Sequence, residues 1–346
     1  MEVNYQQQQD GKRIFRRIRK FMKEDNAIYK LPYYGEDFLT YMETILGKSK
    51  NTVHEYRYDL VMFFRFLKIR YHLIANDVIF EDITVTDLDI SVIKNVKLTD
   101  LYAFLNYMSR DRQDGPATRA RKVAALRSFF KYACNKAALI DDNPAIELET
   151  PKITKKLPKY LEIEESKQLL DSVEGDFAER DFCMLTLFLN CGMRLSELVS
   201  INVADIREDT LTVIGKGSKE RTIYLNEACL NAINDYLAVR PDITEIGGKQ
   251  PLFVSKFKKR ISNKTVQYTV KKYIMIAGLD PTKYSTHKLR HTAATLMYTH
   301  GEVDIRTLQE ILGHESVATT EIYTHINNSK LKDALSKNPL SDYKKN

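Results

Sequence analysis

Three prolines within fifteen residues, Pro144, Pro151 and Pro158, are the feature that most limits how this chain can fold. Each fixes φ and lacks a backbone N–H, so no regular helix or central strand can run through them. Lys152, Lys155 and Lys156 stand among them, and no apolar periodicity joins them. Such a stretch reads as an extended basic linker between two separately packed bodies, and a length of 346 residues suits two domains. The expected division is a basic N-terminal extension (1–30), a helical domain (31–148), the linker (149–159), a second domain (160–335) and a tail (336–346).

The first body is patterned for helices. Phe38, Leu39, Met42 and Leu46 share a face that Gly47 should end. Ser49-Lys50-Asn51-Thr52 then looks like a capped start for a helix carrying Tyr56, Leu60, Phe63, Phe64 and Leu67. Residues 69–95 form a less regular, longer connection, and Leu98 to Ser109 is a further helix. After Gly115-Pro116 a helix opens with Arg119, Arg121 and Lys122 in its first turns, where the helix dipole favours negative charge. The pattern makes sense beside an external phosphate, or as a merely soluble face. Ahead of this body, Lys12 to Lys23 reads as a basic amphipathic helix, suited to a DNA-backbone or partner contact or to packing on its own domain.

The second body mixes helices with one hairpin. Glu164 to Val173 and Ala178 to Leu189 are helical. The run Gly192-Met193-Arg194-Leu195-Ser196-Glu197-Leu198 turns into a helix with Arg194 and Glu197 three apart, an expected positioning pair. Thr210 to Ile214 and Arg221 to Leu225 alternate as two strands about Gly215-Lys216-Gly217-Ser218, which lacks the spacing of a nucleotide-binding P-loop. Leu225 to Leu237 and Ile261 to Ile276 are further helices.

Residues 286–323 gather the chemistry. Ser285 or Thr286 should cap a helix ended by Gly301, Asp304 a second ended by Gly313, and Ser316 a third bearing Tyr323. His287 and Arg290 lie three apart and share a face, and His314 follows a helix end. A guanidinium, two imidazoles and a phenol make a poor metal site but suit a phosphate. The guanidinium forks onto two oxygens, the imidazoles donate or move protons, and the phenol becomes a nucleophile if nearby charge offsets its pKa of about 10.

The formal net charge of +7 permits a polyanionic partner. Cys134, Cys183, Cys191 and Cys229 form no C-x-x-C pair and read as free thiols of a reducing cytosol. The Gln-rich, then basic, N-terminus does not read as a secretory leader. No apolar run approaches the roughly 18–20 residues of a membrane span. No carboxylate set for a two-metal nuclease is evident.

Taken in order, Gly192–Leu198, Gly215–Arg221, His287-Lys288-Leu289-Arg290-His291-Thr292, and Leu312-Gly313-His314 followed nine residues later by Tyr323 resemble the motifs of the tyrosine recombinase (phage integrase) family, nearest its Xer-type bacterial members. The resemblance spans residues 35–335. It implies a mainly α fold with a small β-sheet or hairpin in the catalytic domain, and a two-domain, C-shaped DNA clamp in which a helical core-binding domain and a catalytic domain hold duplex DNA. It implies that Tyr323 attacks phosphorus to form a 3′-phosphotyrosyl link, and that Arg194 and Arg290 grip the non-bridging oxygens. Lys216 would protonate the departing 5′-oxygen, His287 serve as general base, and His314 donate to the phosphate. No metal or cofactor is implied.

The partners implied are duplex DNA bearing a specific site, a tetramer on that DNA formed alone or with a second recombinase, and a DNA translocase or accessory factor. No membrane is implied. The role would be cytoplasmic chromosome or plasmid dimer resolution, tied to cell division, or integration and excision of a mobile element. The basic extension and the long connection at 69–95 depart from a minimal Xer protein and leave that choice open. A DNA-binding protein without catalysis and a type IB topoisomerase are the competing readings.

Overall fold

The computed structural model describes residues 27–75, 77–152, 159–215, 220–245, 247–301, 303–313, 316 and 320. The chain divides into two compact units, residues 1–154 and 155–346. The expected basic helix at Lys12–Lys23 lies outside the described residues.

The first unit is helical. Pro32 precedes α1 (Tyr33–Thr44), where its fixed φ suits a helix entry. Phe38, Leu39 and Met42 are buried as expected, but the helix stops at Thr44 and leaves Leu46 43% exposed. Ser49 caps α2 (Lys50–Arg70) by accepting from the Thr52 N–H at 3.3 Å. From Leu60 to Leu67 nearly every side chain of α2 is buried, so this helix runs through the core instead of lying on it. Its rings meet those of the later helices edge-on, with Phe63 on Phe104 at 5.2 Å and Phe64 on Phe129 at 5.6 Å.

The irregular connection at 69–95 holds a 3-10 turn at Phe80–Asp82 and a short helix, α3 (Ile90–Lys94), capped by Asp89. It also supplies Phe80, Ile83, Val85, Leu88 and Ile93 to the core. Two more helices, α4 (Leu98–Arg110) and α5 (Pro116–Asn135), complete the unit. Of the cations opening α5, Arg119 and Arg121 stay partly exposed and Lys122 does not, which corrects the expectation for Lys122. Lys122 is fully buried, its Nζ 2.9 Å from Asp59 Oδ1, and Arg121 reaches Asp59 Oδ2 at 2.6 Å. A carboxylate on α2 thus answers the charge that the α5 start lacks.

In the second unit, α6 (Ile163–Asp171) leads to α7 (Ala178–Cys191), buried over Cys183–Leu189, and then to the short α8 (Leu195–Ser200). The sheet has three antiparallel strands in the order β1 (Ile206–Arg207), β2 (Thr210–Ile214), β3 (Glu220–Tyr224), with Val213 opposite Arg221. The helices α9 (Glu227–Val239), α10 (Asn263–Ile276), α11 (Thr286–Thr299) and α12 (Ile305–Leu312) follow. α7 packs against α9 and α11, which places the start of α11 beside the Cys191–Arg194 turn. All four cysteines are free thiols, three of them buried and Cys134 partly exposed. No described helix is long and apolar enough to cross a membrane.

Candidate active site

The site grows from the way α7 ends. Gly192 takes a left-handed turn, φ 58°, and a Cβ there would stand 2.9 Å from Leu312 Cδ2. Glycine therefore serves both the turn and the close approach of α12. Met193 is buried, and Arg194 becomes the residue that caps α8 instead of a member of it. Its backbone N–H donates to Glu197 Oε2 at 2.7 Å, while its side chain is free to leave the helix axis and donates from Nη1 to Glu197 Oε1, also at 2.7 Å.

Glu197, 1% exposed, is the centre of the arrangement. Arg221 on β3 donates from Nη2 to Glu197 Oε2 at 2.9 Å, and Arg290 on α11 brings its Nη1 to 3.9 Å from the same oxygen. Burial pushes the Glu197 carboxyl up, but the hydrogen bond and charge of Arg221 and the N–H and guanidinium of Arg194 outweigh it and hold the group below its ordinary value of 4.5.

The same three arginines share the carboxyl end of α12. Arg221 donates to the Ile311 carbonyl, Arg290 to that of Leu312 at 2.6 Å, and Arg194 to that of Gly313 at 2.7 Å. A helix C-terminus presents unpaired carbonyls and partial negative charge, so it attracts cations. Arg290 also donates to the Gly192 carbonyl at 2.6 Å, joining the ends of α7 and α12. The side chain of Arg194 is 32% exposed and that of Arg290 only 5%. Arg194, with Gly215, Glu220, Arg260 and Asn263, also lines a cleft of about 790 Å³.

His287 stands in the first turn of α11, three residues before Arg290. Its ring meets that of His291 edge-on at 4.6 Å. Desolvation by the atoms packed round it, followed by the charges of Lys288, Arg290 and Arg194, lowers its pKa from 6.5. One side of the ring keeps access to solvent, while Lys288, Arg290 and Arg194 each disfavour a further positive charge on it. The imidazole is therefore neutral at pH 7 and able to accept a proton.

Of the six residues expected from the sequence, Arg194, Arg290 and His287 are brought into one neighbourhood. Lys216, His314 and Tyr323 lie outside the described residues, as does the expected third helix. Gly313, with φ 61°, ends α12 directly before His314. The sequence reading missed Arg221 as a partner of Glu197, although it closes the Gly215–Arg221 motif. Strand alternation there marks Ile223 as inward but cannot say where a long cation reaches.

Residues 159–330 match the Phage integrase family. Tyrosine recombinase XerC of Caldanaerobacter subterraneus subsp. tengcongensis is 56% identical over 312 residues, 90% of this chain and 88% of that protein. The XerH site-specific recombinase, solved bound to difH substrate before cleavage, superposes with a TM-score of 0.66 at 22% identity, covering 92% of this chain and 98% of that one. A lambda integrase tetramer solved on a Holliday junction gives a TM-score of 0.58 at 17% identity, over 82% of this chain and 76% of that one.

Proposed function

The chain belongs to the phage integrase family and is a Xer-type site-specific tyrosine recombinase, a DNA strand-exchange enzyme with a tyrosine nucleophile; from that premise we propose how its residues divide the work. Tyr323 attacks the phosphorus of a scissile phosphodiester, and neutral His287 takes the phenolic proton. Arg194 and Arg290 hold the non-bridging oxygens and His314 donates to them. Lys216 delivers a proton to the departing 5′-oxygen. The resulting 3′-phosphotyrosyl link conserves the ester, so a 5′-hydroxyl from a second strand reverses the step and reseals without ATP. With charge supplied by side chains, the reaction proceeds without a divalent metal.

The observation that best supports this reading is the mounting of Arg194 and Arg290 on Glu197, with His287 held neutral beside them. A guanidinium has five N–H donors, and Arg194 uses its Nη1 on Glu197 and its Nη2 on the Gly313 carbonyl, which leaves others for a phosphate. Donors fixed in advance stabilise the charge that develops on the phosphoryl oxygens, and losing one costs about 10²–10³ in rate.

The first unit and the 160–335 domain serve as the core-binding and catalytic domains. They act on a specific duplex site as part of a tetramer, as the lambda integrase likeness supports. Identity to a XerC over most of the chain favours chromosome or plasmid dimer resolution over integration of a mobile element. The test is incubation with nicked site DNA, chosen by selection from a random pool, in EDTA. The wild type should trap a covalent adduct and Tyr323→Phe none. An undiminished adduct in the variant sinks the assignment.

A further inference from the structure

Arg221 has no part in the chemistry above, yet it touches the frame that holds both site arginines. It lies on β3, with a side chain only 13% exposed. Nη2 binds Glu197 Oε2, leaving Oε1 to the Arg194 side chain, and Nη1 donates to the Ile311 carbonyl. Its Cδ and Nε stand 2.8 and 3.1 Å from where a Cβ on Gly313 would lie, so the shaft passes directly against the turn that ends α12. Nε is buried and has no hydrogen-bond partner among the described residues. A leucine or methionine could fill this space without stranding a buried N–H, so packing alone does not account for an arginine here.

We propose that Arg221 is a positioning residue for strand cleavage, bracing the Glu197 carboxylate against the carboxyl end of α12 so that Arg194 and Arg290 are aimed before a phosphate arrives. The proposal rests on the cleavage reading above. Arg194 and Arg290 donate to Gly313 and Leu312, and Arg221 to Ile311, so all three share one short piece of backbone. Arg221, on β3, ties that piece to the sheet. Reaching a carboxylate and a carbonyl together needs a planar, forked cation. Lysine, with one compact ammonium, can satisfy one of the two. Misplacing catalytic groups by about 1 Å costs on the order of 10²-fold in rate, which sets the scale of the expected loss.

The test uses full-length Arg221→Gln and Arg221→Lys beside the wild type. Single-turnover adduct formation is measured on nicked site DNA at saturating DNA, with rate constants expressed per active molecule after titrating the active fraction. Site affinity and thermal midpoint are measured in parallel. Both variants should lose about 10² in the rate constant while site affinity holds. Adding Glu197→Gln to Arg221→Gln should cost less than the product of the two single losses, because both act on one frame. A variant with wild-type rate constant, and only a lower midpoint or smaller active fraction, makes Arg221 a scaffold residue and overturns the proposal. So does a loss confined to affinity. A wild type that forms no adduct overturns the cleavage reading itself, an outcome distinct from either.

Discussion

Glu197 is a buried anion among three guanidinium groups, and its ionisation governs how they are held. Its folded-state pKa lies below the ordinary 4.5, so its ionised form stabilises the fold above that value and the contribution is lost as pH falls through the lowered one. Glu197→Gln should cost about 3–5 kcal/mol near neutrality, the typical loss on breaking a buried pair. The gap between variant and wild type should narrow in acid, as denaturant melts at several pH values will show. His287 has the opposite chemistry but the same direction of shift. Its neutral form persists to below pH 6.5, so the acid limb of the cleavage rate should fall below that value. His287→Gln should remove the limb and lower the rate by about 10²–10⁴, read by single-turnover kinetics across pH. Arg290→Ala would confound chemistry with folding, because it strands the carbonyls of Gly192 and Leu312 at about 1–3 kcal/mol each. Arg290→Lys is the cleaner probe. Motif spacing singled out Arg194, His287 and Arg290, and Glu197 as the partner of Arg194. The burden Glu197 carries for Arg221 depends on a strand and a helix end that sequence spacing does not bring together.

At the scale of elements, the ends of helices decide the site more than their faces. α12 stops at Gly313 with φ 61°, and Arg221 lies where a Cβ would go. Gly313→Ala should therefore cost about 1–3 kcal/mol from the left-handed conformation alone and displace Arg221. A lowered thermal midpoint together with slowed adduct formation is the expected result. The helix pattern of both units was legible where apolar residues recur at helical spacing, most clearly in α4, α6 and α12. Lys122, in the start of α5, was misread for a physical reason. A lysine beside polar neighbours looks solvent-facing until the chain brings Asp59 from 63 residues away to meet it. β1, two residues long, is too short for alternation to register.

At the scale of the whole molecule, an excess of seven positive charges over negative ones suits contact with DNA phosphates, and each phosphate neutralised adds to the salt dependence of binding. Site binding should weaken linearly on a log–log plot against salt, by about 10³–10⁵ between 50 and 200 mM if 6–10 phosphates are contacted. Arg290→Lys should change that slope by no more than about one contact, because a buried cation reads one phosphate whereas affinity is distributed. An affinity unaffected by salt in the wild type would contradict the backbone-contact picture. The bond from Arg290 to the ends of both α7 and α12 has a final consequence for descent. A lineage released from selection on recombination cannot discard this arginine cheaply, since the fold would suffer along with the reaction. Its survival in a distant descendant is therefore weak testimony that the descendant still recombines. The solvent-exposed histidine one turn earlier is the more candid witness.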